Sequence, residues 1–246
     1  MGSYEFLAGC YDELTYDVGY SAWADYIEAH FRKRGLPGKT VLDLACGTGS
    51  LTRELAQRGY EMIGVDRSPE MLSEAAEKNR DVGEVPPIFL CQSMDKLDLY
   101  GTIDACVCCL DSVNYVTDPR QLRKAFQRVY LFLMPGGLCL FDINTPSKLQ
   151  GLDGQIFLDE NDESYCVWRA EFDESERICY YGMDLFQREG KLWRRSFEEH
   201  REYAYTVSQL TAFLQAAGFS QIECYGDRQF TPPKAGEQRI YFYAAK

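Results

Sequence analysis

Histidine is nearly missing from this chain: its 246 residues contain only His30 and His200. A zinc site would therefore have to be built from cysteine, and the ten cysteines lack the spacing for one. Cys106 and Cys109 form a C-x-x-C, but within the strand-like run DACVCCL positions i and i+3 point to opposite faces and cannot share a metal. Most of the cysteines sit in apolar runs and read as small core hydrophobes in a reducing compartment. Positive charge is also short, with 26 Lys and Arg against 38 Asp and Glu and a net charge of −12. Such a chain repels polyanions, which excludes nucleic acid and an anionic membrane surface as expected partners. No run of about 18 apolar residues is present, so no membrane span is expected. The opening MGSYEFLAGCYDEL has neither a basic nor an apolar leader region, so a cytoplasmic location is expected. Internal repeats and low-complexity tracts are absent.

What remains is an ordinary globular composition, 46% hydrophobic and 26% charged. Up to residue 143 short apolar strands alternate with amphipathic helices. KTVLDLA, YEMIGVD, IFLCQ, DACVCCL and GLCLFDI are the strand candidates, and SLTRELAQRG, SPEMLSEAAEKNR and DPRQLRKAFQRVYLFL the helical stretches between them. This alternation predicts an α/β fold, a doubly wound parallel sheet covered on both faces. Ser68 and Asp118, each followed by proline, are predicted N-caps. Between 144 and 205 the helical period disappears, and SYCVWRAEFD, RICYYGMDLFQR and LWRRSFEEHREYAY predict three antiparallel strands. A capping box at Thr206 and Gln209 then opens a helix ending at Gly218, and two last strands follow. The reading is one domain formed by residues 1–143 plus 206–246, with 144–205 inserted as an antiparallel β lid. Residues 151–202 carry 14 acidic and 7 basic side chains, more than half of the whole net charge.

The sharpest local signal is VLDLACGTG, residues 41–49, a strand running into a Gly-x-Gly turn with a helix directly behind it. Gly47 and Gly49 allow the backbone to approach a ligand closely. Seventeen residues beyond Gly49 a second strand ends in Asp66, a carboxylate suited to a ribose diol. A dinucleotide such as NAD wants a third glycine, where Thr52 stands, and its pyrophosphate would be repelled by Asp43. The ammonium and sulfonium of S-adenosyl-L-methionine (SAM) suit that carboxylate better. A tight turn without any ligand is the remaining reading.

VLDLACGTG, together with GVDRSPEML at residues 64–72, resembles the class I SAM-dependent methyltransferases over roughly residues 40–143. The resemblance implies a Rossmann-like sheet of order 3-2-1-4-5-7-6. It implies that Asp43, Ala45, Gly47 and Gly49 line the methionine and ribose part of SAM, that Asp66 binds the ribose hydroxyls, and that Arg67 and Met71 lie beside the adenine. The family usually carries an acid after the third strand; here Gln92-Ser93-Met94 puts Ser93 at that place, with Asp95 near enough to substitute. Met94 and Leu110 complete the implied cofactor set. The insertion resembles the β lid of short bacterial methyltransferases related to the glycine and amino-sugar N-methyltransferases. Their N-terminal segment, here Tyr11 through Tyr20 and Trp23, folds over the cofactor, and Tyr11 is the candidate for its carboxylate end.

The [N/D/S]-P-P-[Y/F] element of amino-methylating nucleic-acid enzymes is absent after the fourth strand, where the chain reads LDSVNY. A small-molecule acceptor is expected, with methylation on N or O; the acidic insertion either draws in a cationic or amine acceptor or is a solvated lid surface. Methyl transfer from a sulfonium needs mainly positioning and exclusion of water. Tyr115 is the candidate to face the acceptor, with core packing as the other reading. His200 is the candidate base, with a solvated position on a charged strand as the other reading. No metal is expected, although Asp142 and Asn144 with Asp111 could hold a divalent cation. Tyr4, Phe6, Tyr11, Tyr16, Tyr20 and Trp23 either cover the cofactor by cation–π contact or form the apolar face of a helix. A non-catalytic SAM-binding protein and an NAD-dependent oxidoreductase are the alternatives.

Overall fold

The computed structural model describes residues 11–15, 17–226 and 228–246. The chain begins with α1 (Tyr11–Leu14) and α2 (Tyr20–Arg34), then runs β1 (Thr40–Leu44), α3 (Ser50–Gln57), β2 (Glu61–Asp66), α4 (Pro69–Lys78), β3 (Ile88–Cys91) and β4 (Ile103–Cys108). It continues with α5 (Pro119–Phe132), β5 (Leu133–Asn144), α6 (Pro146–Gly151) and four strands, β6 (Ile156–Glu160), β7 (Ser164–Asp173), β8 (Ile178–Glu189) and β9 (Leu192–Tyr203). It closes with α7 (Val207–Ala217), β10 (Gln221–Gly226) and β11 (Arg239–Ala245).

The central sheet has the order β3-β2-β1-β4-β5-β11-β10, which is 3-2-1-4-5-7-6 when its own strands alone are counted. The pairs from β3 to β5 are parallel, and β11 runs antiparallel to both β5 and β10. Its inner strands are buried on both faces, and alternate residues serve two cores. Leu42, Cys106, Cys139 and Phe141 pack with α5 and α7, whereas Val41, Ala105, Val107 and Leu140 pack with α2 and α3. Cys106 and Cys109 fall into these opposite cores, as the strand period requires. The described cysteines are all free thiols.

The helix signals appear where the sequence placed them. The Ser68 hydroxyl accepts from the Met71 amide at 3.2 Å, and Asp118 accepts from the Arg120 amide at 2.9 Å. Thr206 and Gln209 complete a reciprocal capping box. Gly218 ends α7 at φ +113, and a Cβ there would come within 2.7 Å of the Tyr130 ring.

The inserted residues differ in two ways from the expectation. The antiparallel sheet has four strands, β6-β7-β8-β9, rather than three. The extra strand, β6, is exposed at all five positions, so it carries no apolar–polar alternation to read. A six-residue helix, α6, also stands within the stretch read as non-helical; it is too short for a 3.6-residue period to show. Among the described residues no helix is long and apolar enough to cross a membrane.

Candidate active site

A cavity of about 230 Å3 opens at the carboxyl edge of the central sheet, beside the ends of β1 and β4, where the strand order reverses. The chain pays for this geometry with backbone strain. Ala45 after β1 and Leu110 after β4 both line the cavity, and both are left-handed, at φ +61 and +59.

Tyr11, Asp43, Ala45, Gly47, Asp66, Arg67, Met71, Ser93, Met94, Leu110 and Tyr115 from the sequence reading all line the cavity. Three others do not. Gly49, at φ +73, faces α4, and a Cβ there would meet Asn79 Nδ2 at 2.9 Å and Ala75 Cβ at 3.2 Å. Its missing side chain lets two helices approach, whereas the space a Gly47 side chain would take is open. Trp23 is buried in the core 5.4 Å from the Tyr241 ring, because α2 lies flat against the sheet. Tyr20, at the start of that helix, reaches the cavity instead. Tyr4, Phe6 and Tyr16 lie outside the described residues.

His200 also stands off the cavity wall, and it is not solvated. Strand alternation points Glu198, His200 and Glu202 inward, all buried, while Glu199 and Arg201 pair with each other at 2.6 Å on the outer side. His200 Nε2 is 3.1 Å from Glu198 Oε2, and its ring stands edge-on to Tyr115 with centroids 6.0 Å apart.

The cofactor-side residues are held by bonds the sequence did not reveal. Asp66 accepts the Gly47 amide on Oδ2 and the Ser68 amide on Oδ1, each at 2.9 Å. Each oxygen keeps a further lone pair, which fits a ribose diol. Asp43 is fully buried, and burial pushes its carboxyl up to about 6; the Thr52 hydroxyl opposes this by donating to Oδ2 at 2.6 Å. A desolvated carboxylate at the cavity wall fits a ligand ammonium and repels a pyrophosphate. The residue in the third-glycine place is thus the one that holds Asp43.

The N-terminal segment is latched to the glycine turn. Asp12 Oδ1 accepts from Thr48 Oγ1 at 2.6 Å and from Ser50 Oγ at 3.1 Å, and Lys78 Nζ lies 2.5 Å from Asp12 Oδ2. Burial would raise the Asp12 carboxyl, but Lys78 and the two hydroxyls hold it below its ordinary value. The latch brings Tyr11 and Tyr20 over the cavity. Gln92, Cys109, Ser112, Thr117 and Gln121 are among the wall positions that the sequence reading did not assign, and Asp95 lines the wall as well.

The candidate cation cluster is filled from within the protein. Arg239 pairs with Asp111 at 2.7 Å and with Asp142, while Asn144 receives Lys148 Nζ at 2.7 Å and donates to Glu202 at 2.8 Å. Among the described residues no group of three or more His, Cys, Asp or Glu is arranged for a metal.

Comparison with known proteins adds four findings. Residues 41–137 match the family model described as "Methyltransferase domain". The Bacillus subtilis (strain 168) protein YqeM, a methyltransferase by name, is 32% identical over 99% of this chain and 97% of its own. A SAM-dependent methyltransferase from Clostridium acetobutylicum ATCC 824 superposes with a TM-score of 0.88 at 32% identity, covering 99% of both chains. The sugar N-methyltransferase KedS8 of Streptoalloteichus sp ATCC 53650, at 23% identity, shares the fold with a TM-score of 0.76 over 92% of this chain and 87% of its own.

Proposed function

The chain belongs to the SAM-dependent methyltransferases, and from that premise we propose that it methylates a nitrogen or oxygen of a small-molecule acceptor, with an amine as the favoured class. The observation that carries this reading is the array behind the cavity wall. Tyr115 lines the cavity, and the buried His200–Glu198 pair of the inserted sheet stands directly behind it. Glycine/sarcosine and sugar N-methyltransferases among the similar proteins add to the case for nitrogen.

SAM supplies an electrophilic methyl group on a sulfonium whose departure as a neutral thioether needs no acid. The residues of this chain do the rest. Asp66 holds the ribose diol, Asp43 receives the ammonium, and Arg67, Met71, Ser93 and Met94 form the adenine wall. Leu110, Ala45 and Gly47 set the backbone edge beside the methionine part. Tyr11 and Tyr20 cover the cavity and exclude water, which with alignment supplies most of the acceleration. Tyr115 orients the acceptor heteroatom. His200, braced by Glu198 and standing behind Tyr115 rather than on the wall, receives by way of the Tyr115 hydroxyl the proton that a methylated amine must lose. On this reading residues 1–143 and 206–246 form the cofactor domain, 144–205 is its lid, and the reaction runs in the cytoplasm.

The test is a panel of small amines, each paired with its hydroxyl and carboxylate counterpart, incubated with SAM while S-adenosylhomocysteine release is measured. Release with amines, weakened in His200→Ala while calorimetric S-adenosylhomocysteine binding stays unchanged, supports the reading. Release confined to carboxylates, or full amine turnover by the variant, overturns it.

A further inference from the structure

The inserted sheet leaves the core after Asn144 and returns at Tyr203, and one side chain holds both ends. Asn114 is wholly buried in the loop after β4. Its Nδ2 donates to the carbonyl oxygens of Asn144 and Tyr203, each at 3.0 Å. Its Oδ1 accepts the Asn144 amide at 3.1 Å, and its own carbonyl accepts the Tyr203 amide at 2.8 Å. Both amide donors are therefore used, and the carbonyl oxygen has a partner as well. The Asn144 side chain adds a bond to Glu202 at 2.8 Å, so the two ends of the insertion are also pinned to each other.

The loop that Asn114 belongs to is the cavity wall. Leu110, Ser112, Tyr115 and Val116 all line the cavity. Tyr115 meets His200 of β9 edge-on, and the Val116 carbonyl accepts the Tyr205 hydroxyl at 2.5 Å. Three consecutive residues of the wall loop, 114 to 116, are thus fastened to the returning strand or to the residues just past it. A wall fastened in this way cannot be ordered by a ligand without ordering the strand as well, because buried hydrogen bonds break at a cost and do not stretch.

We infer that Asn114 is a positioning residue that makes the lid and the acceptor wall one mechanical unit, so that filling the cofactor site is felt at both ends of the lid. The inference rests on the reading of Tyr115 as acceptor-facing. Without Asn114 the Asn144 and Tyr203 carbonyls lose their shared donor, and the lid no longer follows the wall. Cofactor contacts at Asp43, Gly47 and Asp66 do not involve Asn114 and stay in place.

Amide hydrogen exchange of the full chain, with and without S-adenosylhomocysteine, tests this. In the native protein the ligand is expected to slow exchange by about tenfold at residues 43–49, at 113–117, and at the Asn144 and Tyr203 amides. Asn114→Asp keeps the shape and replaces two donors by an acceptor; Asn114→Ala removes both donors without adding a buried charge. Both should bind S-adenosylhomocysteine within about threefold of native by calorimetry, yet lose the ligand-induced slowing at 144 and 203 to below about twofold. A merely structural residue would change the unliganded exchange and leave the response to ligand intact. Persistence of the response in both variants overturns the inference, as does its absence at 144 and 203 in the native chain. Should Asn114→Asp fail to fold, Asn114→Ala alone decides. Failure of the ligand to slow 43–49 in the native chain would instead refute the cofactor reading, and unchanged amine turnover in Tyr115→Phe would refute the acceptor reading alone.

Discussion

Thr52→Val is the substitution whose effect follows most directly from the cavity. The change keeps the shape and removes the hydroxyl that donates to Asp43 Oδ2 at 2.6 Å inside the fold. A hydrogen bond to a charged partner contributes about 1.5–3 kcal/mol. With about 1.4 kcal/mol for each pH unit, its loss raises the Asp43 carboxyl by about one to two units. Starting from about 6, the variant carboxyl then titrates between about 7 and 8. At pH 7 the ionised share falls from about nine-tenths to between about one-half and one-tenth. Only the ionised form attracts the ammonium of the ligand, so S-adenosylhomocysteine should bind about two- to tenfold more weakly at pH 7. Calorimetric titration from pH 5.5 to pH 8.5 checks this. Native affinity should rise through about pH 6, and the variant's rise should come about one to two units later. A weakening that is the same at every pH, or an unshifted midpoint, would refute the assignment of Asp43 as the titrating ammonium partner.

Two further outcomes concern stability. His30 is buried among Tyr26, Tyr225, Phe230 and Tyr243; burial first, then Lys33 and Arg34, push its ring down to about 4. The unfolded chain takes up a proton near pH 6.5 that the folded one resists, so this contribution to stability is whole above 6.5 and is lost as pH falls toward 4. His30→Phe should therefore gain up to about 3 kcal/mol relative to native between pH 7 and pH 4 in urea unfolding, and parallel pH profiles would contradict it. The two glycines of the turn should separate by readout. Gly49→Ala combines positive φ with a contact of 2.9 Å to Asn79 and should cost about 2 kcal/mol in thermal unfolding. Gly47→Ala shares the left-handed strain, at φ +53, but meets no neighbour, so it should cost less stability and lose S-adenosylhomocysteine affinity besides; the opposite ranking would undo the packing role given to Gly49.

Local chemistry explains which features could be read from the sequence. Caps at Ser68, Asp118 and Thr206, the Gly-x-Gly turn and the buried parallel strands each lie within a few consecutive residues, so they show in one dimension. Thr52 was visible as a departure from a glycine pattern, but its bond to Asp43 needs the turn to be folded. The Asp12–Lys78 latch joins residues far apart in the chain, and Asn114 meets Tyr203 only through the lid's return. The solvated alternative for His200 fails for another reason. On β9 acids and bases occupy both faces, so the buried Glu198, His200 and Glu202 row does not differ in polarity from the outward Glu199 and Arg201 row. The resemblance puts Trp23 over the cofactor, whereas its ring is buried beside Tyr241 of β11, as the alternative of an apolar helix face has it.

That Asn144 and Tyr203 both bond to one asparagine has a consequence for how such a chain can change over generations. An insertion whose ends already touch closes its own loop, so the host pays little extra closure entropy whatever the length between them. Residues 145–202 can then lengthen, shorten or be exchanged while the strands that carry Asp43, Gly47 and Asp66 keep their register. On the proposed function, acceptor choice and cofactor chemistry become separately variable, with Asn114 as the joint at which a replacement cassette would have to be fitted.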